Sequence, residues 1–263
     1  MLITAYDAAE GVMHANDADL CQPPEFSDDE SADASLQEIL ALPVYVLNLP
    51  TKPERRAHMS CFLQFVGFHR LEFPPVVDGR NLKDAGASST NLKKSPGCNQ
   101  YDLLSCLACS LSHLSVHALA LESGHDRYLI LEDDLMLGGS VQSVRSRLAA
   151  AVAELPQAFD MLYLEACFED CSNVRFASGY HHIGKAHMPL CAAAILFSAK
   201  GARRIRKLTG AEDGQQPWGS IDDMYSTLID GRHLDAYIMA PPIFYQVLSL
   251  QLSLLALLVQ KYK

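Results

Sequence analysis

The chain has 263 residues, 49% of them hydrophobic and 20% charged, with a formal charge of −10 from 31 acids and 21 bases. That length holds one domain, or two at most, with enough apolar residue for a real core. A net-acidic chain lacks the broad basic footprint of a nucleic-acid binder, which excludes that class.

Met1 to Leu42 carries ten acids and no Lys or Arg, so the chain from Pro43 onward is balanced at 21 acids and 21 bases. With Pro23-Pro24, an acidic run at residues 27 to 30 and little apolar periodicity, residues 1–42 are expected to be a disordered solvating leader. A short helix is expected near Leu36 to Leu40. The first 20 residues have neither a basic start nor a continuous apolar stretch, so a secretory signal is not expected. The eight cysteines are therefore expected to be reduced thiols in a cytoplasmic setting.

Val44 to Leu49 is a short apolar, β-branched run of the kind that forms a strand buried on both faces. Thr51, Pro53 and Glu54 then predict a capping-box start for a helix through about Val66. Leu71 to Val77 predicts a second strand closed by an Asp78-Gly79 turn, and residues 81 to 100 a polar loop. Asp102 to Ser123 is helical in pattern, with Gly124 as its cap. Tyr128 to Leu131 predicts a buried strand running into Glu132-Asp133-Asp134. Beyond it come a helix at 140 to 155 and strands at 160 to 164 and 192 to 197. Helices at 199 to 208 and 222 to 229 and a strand at 236 to 239 complete the series. Alternating strands and helices predict one α/β domain over residues 43–246, with a mixed, mainly parallel central sheet flanked by helices. Val247 to Val259 is apolar but about 13 residues long, short of the roughly 20 of a spanning helix. Residues 247–263 are left as a C-terminal segment, with 247–259 a candidate for peripheral membrane contact.

Glu132-Asp133-Asp134 at the carboxyl end of a strand is the strongest chemical signal, because ligands of open α/β sheets gather there. Adjacent carboxylates repel, and a hard divalent cation shared with a diphosphate would relieve them; a solvated acidic turn is the alternative. On the 102 to 123 helix, Cys106, Cys109, Ser110, His113 and His117 share one stripe, which fits either a soft metal site or a small-residue packing face. Cys167 and Cys171 have no partner pair at zinc-ribbon spacing. Asp222 and Asp223 open a helix, where either can cap it or serve as a base.

Four ordered segments resemble glycosyltransferase family 25. They are Val44 to Arg56 (VYVLNLPTKPERR), Ala108 to His113 (ACSLSH), Leu129 to Asp134 (LILEDD), and a last group joining Ala193 to Ala202 with Ser220-Ile221-Asp222-Asp223 and Pro241 to Gln246 (PPIFYQ). The family includes lipooligosaccharide galactosyltransferases of lipopolysaccharide biosynthesis and collagen hydroxylysine galactosyltransferases. The resemblance implies a GT-A type fold, a UDP-sugar donor, commonly UDP-galactose, and Mn²⁺ or Mg²⁺. It implies inverting transfer of a hexose to a glycan or other hydroxylated acceptor. By position, Asp133 and Asp134 are the expected metal ligands. Asn48, Arg56, Asp78, Ser112, His113 and Asp133 are the expected donor-binding residues, and Asp222 and Asp223 the expected catalytic ones. Glu132, at the opposite strand parity from Asp133, is expected to turn back into the structure. Ala108 stands where the family has Gly, which crowds a close backbone approach. The alternative is a family-like domain that binds carbohydrate or protein without turnover.

Overall fold

The computed structural model describes residues 34–84, 98, 103–165 and 180–246. Most of the acidic leader, Cys167 and Cys171, and the apolar segment after Gln246 lie outside them. Its strands are β1 (Val44–Leu47), β2 (Leu71–Glu72), β3 (Arg127–Glu132), β4 (Leu135–Leu137), β5 (Met161–Tyr163), β6 (Ile183–Lys185), β7 (Ala194–Ser198), β8 (Ala236–Met239) and β9 (Phe244–Gln246). Its helices are α1 (Ala34–Leu40), α2 (Pro53–Val66), α3 (Gly79–Asp84), α4 (Leu103–Glu122), α5 (Val141–Glu154), α6 (Ala199–Leu208) and α7 (Ile221–Asp230).

Seven strands form one sheet in the order β2-β1-β3-β7-β5-β8-β6, and β4 pairs with β9 in a small second sheet. Strands β2, β1, β3, β5 and β8 run one way and β7 and β6 the other, so the sheet is mixed and mainly parallel. Strand alternation divides the interior into two cores. Val44, Val46, Leu129, Leu131, Leu162 and Leu196 pack with residues of α1, α2 and α5. Tyr45, Tyr128, Ile130, Met161, Tyr163 and Phe197 pack with residues of α4, α6 and α7. Successive side chains of a strand point to opposite faces, so a run apolar at every position is the signature of a sheet covered on both sides.

Local chemistry sets the helix ends. Gly67 closes α2 in the left-handed conformation at φ 106°, with its N–H donating to the carbonyls of Gln64 and Leu63. The capping box expected at Thr51 and Glu54 is not what starts α2. Lys52 is the N-cap, no side chain caps it, and Pro53 supplies the preset φ of the first turn. The Thr51 hydroxyl accepts from Arg80 Nη2 at 3.2 Å instead. Ser140, Ser198 and Ser220 cap α5, α6 and α7 by accepting from the backbone N–H three residues on.

Two expectations from composition change. Leu36, Ile39 and Leu40 of α1 are buried in the core, so the last turns of the acidic leader belong to the packed body. Reduced cysteines are also not what is found. Cys98 and Cys106 form a disulfide with their Cα atoms 5.7 Å apart, and Cys61 and Cys191 are disulfide-bonded as well. Cys98 and Cys106 are buried with Leu107 in a small apolar cluster that brings the two sulfurs together, a proximity that sequence spacing does not reveal. With that, the thiol argument for a cytoplasmic setting falls away. Helix α4 is long and apolar enough to cross a bilayer, but 56% of its most apolar window is buried inside the fold.

Candidate active site

The parity of β3 arranges the acidic signature. Tyr128 and Ile130 face α4, and Glu132, two residues further on, faces α4 as well. Its Oε1 lies 3.3 Å from His113 Nε2 and 3.7 Å from Cys109 Sγ. Its Oε2 accepts from Gln246 Nε2 at 2.9 Å, and the same amide reaches Asp134 Oδ1 at 3.2 Å. Glu132 thus turns back toward α4, and Asp134 lies between two groups, sharing Arg55 with Asp133 and Gln246 with Glu132. Glu132 and Asp134 share one donor, and Asp133 points toward α2.

Each oxygen of Asp133 accepts from a protein donor. Arg55 Nη1 donates to Oδ1 at 2.7 Å, and Asn48 Nδ2 to Oδ2 at 2.7 Å. Asn48 also donates to the carbonyl of Lys52 at 3.0 Å, tying the end of β1 to the start of α2. Arg55 reaches Asp134 as well, at 3.6 Å, and its side chain is 45% exposed. Arg56, expected to meet the donor, lies over the Phe73 ring at 4.2 Å.

Asp78 pairs with Arg80, whose Nε donates to its two oxygens at 2.9 and 3.0 Å. These hydrogen bonds hold its carboxyl below the usual range. The preceding Val77 N–H donates to Ser112 Oγ at 2.9 Å, and that hydroxyl donates to the Ala108 carbonyl at 2.8 Å. Ser112 thus anchors the Asp78 turn to α4. His113 is fully buried and meets Tyr225 edge to face.

Asp222 and Asp223 stand in the first turn of α7, but neither caps it; Ser220 does, by accepting from the Asp223 N–H. Asp222 is left to accept from the Ala192 N–H at 2.7 Å, across from β7. Burial, with Glu132 nearby, raises its carboxyl to about 6. Asp134 is raised to about 6 by burial and Glu132. Two residues beyond β5, Glu165 is buried and pushed to about 8 by burial and by Glu132, Asp222 and Asp134. Burial and the same three carboxylates raise the Cys109 thiol. Carboxylates thus converge from β3, β5 and α7, with Gln246 brought in by the β4–β9 register that sets it opposite Leu135.

The stripe on α4 does not act as one metal site. Cys106 is oxidised, and His117 is held by the Tyr128 and Tyr225 hydroxyls at 2.5 and 2.7 Å. Burial lowers His117 to about 3, so it is a neutral core residue. Arg55, Gln246 and Glu165 are the site residues that sequence reasoning did not select. Arg55 and Gln246 each lie in a segment that carries the family resemblance. Glu165 had no local signal.

A sequence model described as glycosyltransferase family 25 (LPS biosynthesis protein) matches residues 41–185. A "Glycosyltransferase 25 family member" of Aedes aegypti is 32% identical over 97 residues, which is 35% of this chain and 16% of that relative's length. The structure of a protein titled mannose-1-phosphate geranyltransferase, from Thermus thermophilus, aligns over 74% of this chain and 58% of its own, at 12% identity and a TM-score of 0.34. The family match takes in β1 and the Asn48 that follows it, α4 and the acidic signature of β3, and ends with β6, more than half of the chain. On that extent of sequence, the chain belongs to glycosyltransferase family 25.

Proposed function

We propose that the chain transfers a hexose, galactose on family grounds, from a UDP-sugar to a hydroxyl of a glycan or other hydroxylated acceptor. The transfer proceeds with inversion, on a GT-A type domain, assisted by Mn²⁺ or Mg²⁺. The supporting observation is the gathering of Glu132, Asp134, Glu165 and Asp222, with Asp134 and Asp222 each raised to about 6. Such crowding is unfavourable without a counter-cation, and a carboxylate-rich donor set suits a hard divalent ion. Asp134 would hold it with Glu132 beside it, because its contacts to Gln246 at 3.2 Å and Arg55 at 3.6 Å are longer than the two 2.7 Å hydrogen bonds that tie Asp133 to Arg55 and Asn48. Bound there, the ion would supply positive charge for the departing nucleoside diphosphate.

The chain's own groups provide the rest. Arg55, half-exposed at the rim, is a cation already in place for a phosphate oxygen. Asp222 is the base: Ala192 N–H fixes one oxygen and so orients the carboxylate. It takes the acceptor's hydroxyl proton as that oxygen bonds to the anomeric carbon and the bond to diphosphate breaks. A value near 6 leaves it ionised at neutral pH yet more basic than a free carboxylate. Glu165, raised to about 8, stays protonated at neutral pH and limits the charge of the cluster.

Calorimetry of UDP binding with and without Mn²⁺, on the wild type and on Asp134→Ala, tests the reading. Metal-dependent binding that disappears in the variant is expected. UDP binding indifferent to both metal and substitution would refute the metal assignment.

A further inference from the structure

Cys109, His113 and Glu132 form a second, chemically different cluster at the edge of the acidic one. Their ligand atoms lie within 4.8 Å of one another. Cys109 and His113 are one helical turn apart on α4, so their side chains share a face, and Glu132 meets them from the end of β3. Zinc bonds of about 2.0–2.1 Å to nitrogen and oxygen and about 2.3 Å to sulfur imply tetrahedral edges of roughly 3.3 Å for N···O and 3.5 Å for S···O. The observed separations to Glu132 Oε1 are 3.3 Å from His113 Nε2 and 3.7 Å from Cys109 Sγ.

We propose that Cys109 Sγ, His113 Nε2 and Glu132 Oε1 form a three-ligand site for a borderline-soft divalent ion, zinc, distinct in chemistry from the hard-cation position at Asp134. On the Glu132 side its outer shell is already built. Glu132 needs only Oε1 for the ion, while Oε2 keeps the Gln246 amide at 2.9 Å. Hydrogen-bonded ligating carboxylates of this kind are the usual support of a zinc centre. The Glu132 side chain is 23% exposed, which gives the ion a way in and leaves the fourth position to water. His113 Nδ1 makes no hydrogen bond among the described residues, so no second partner forbids the tautomer with its proton on Nδ1 and its lone pair on Nε2. Binding takes one thiol proton from Cys109 to solvent. It replaces the contacts of Glu132 Oε1 to sulfur and nitrogen by bonds to the metal.

Cobalt(II) is the probe, because a thiolate-bound cobalt ion gives a ligand-to-metal charge-transfer band in the near ultraviolet. Titrated into the full chain, it is expected to produce that band at one equivalent. Zinc should abolish the band, and Mn²⁺ at the same concentration should leave it. Cys109→Ser should remove the band, and Gln246→Leu should weaken cobalt binding about 10- to 100-fold while leaving the band's shape. Absence of a charge-transfer band in the wild type, or its persistence in Cys109→Ser, overturns the proposal, and the wild-type arm does so even if a variant fails to fold. UDP is absent from the titration, so the result stands apart from the sugar-transfer reading.

Discussion

Asp222 and Asp134 share a raised carboxyl for related reasons, yet substitution should separate their roles. Asp222→Asn keeps the shape and still offers an oxygen to the Ala192 N–H, but cannot take a proton. Transfer is expected to fall about 10²- to 10⁴-fold, the usual range for a lost general base, with UDP affinity nearly unchanged. Equal losses in both would make Asp222 a structural residue. The base works ionised and its carboxyl sits near 6, so the wild-type rate should fall as pH drops through about 6, a pH–rate profile being the check. The sequence suggested this residue but left it balanced between base and cap. Ser220 resolves the cap, because the hydroxyl that accepts the Asp223 N–H is two residues before Asp222. Asp133 was less legible. Its place in an acidic triplet suggested a metal ligand but gave no hint of its protein partners, Arg55 and Asn48, 78 and 85 residues away, each donating to one oxygen. Side-chain pairing over that separation follows from which strands are neighbours, which no local pattern records.

At the scale of elements, periodicity was a good guide wherever a segment was long or buried on both faces. The strands at Val44, Tyr128 and Ala194 and helices α2, α4 and α5 lie where apolar spacing put them, because burying those side chains dominates their energetics. The short pieces β4, β6 and β9 were not legible. Three residues carry too little pattern, and β4 and β9 are defined by each other through the Leu135–Gln246 register. Helix α1 was half-legible, its buried face masked by the surrounding acids. That face makes a test of where the folded body starts. Removing residues 1–33 keeps all of α1. Removing residues 1–42 deletes Leu36, Ile39 and Leu40 from the core, each contributing about 1.5–3 kcal/mol when fully buried. The longer truncation should therefore melt well below the shorter one, and equal melting temperatures would show that α1 adds nothing to the body.

Across the whole molecule, the −10 charge and the stability of the site are separate matters. The surplus acids precede Pro43, whereas the cluster that governs pH response is made of buried carboxylates in a balanced body. Asp134 and Asp222 are raised from 3.8 to about 6 and Glu165 from 4.5 to about 8, so the native state holds protons that the unfolded chain has released. The contribution of these groups is present at low pH and is lost as pH rises from about 4 to about 8. His117 acts in the other direction. It is lowered from 6.5 to about 3, so the unfolded chain takes up a proton that the native core refuses, and stability falls as pH drops through that window. The three raised carboxyls outweigh the one His117 above about pH 4, so without divalent cation the melting temperature should fall from about pH 5.5 to about pH 8. A cation that requires ionised Asp134 reverses the high-pH decline, since ligand at 100 times its Kd stabilises by about 2.7 kcal/mol. Thermal unfolding at about pH 5.5 and about pH 8, with and without Mn²⁺, should show the larger gain at the higher pH. Asp134→Asn should melt higher than the wild type at about pH 8 without metal, because one buried repulsive charge is gone, and should gain nothing from Mn²⁺. If Mn²⁺ stabilises that variant as much as the wild type, the ion binds elsewhere, and the crowded carboxylates are relieved by protonation alone.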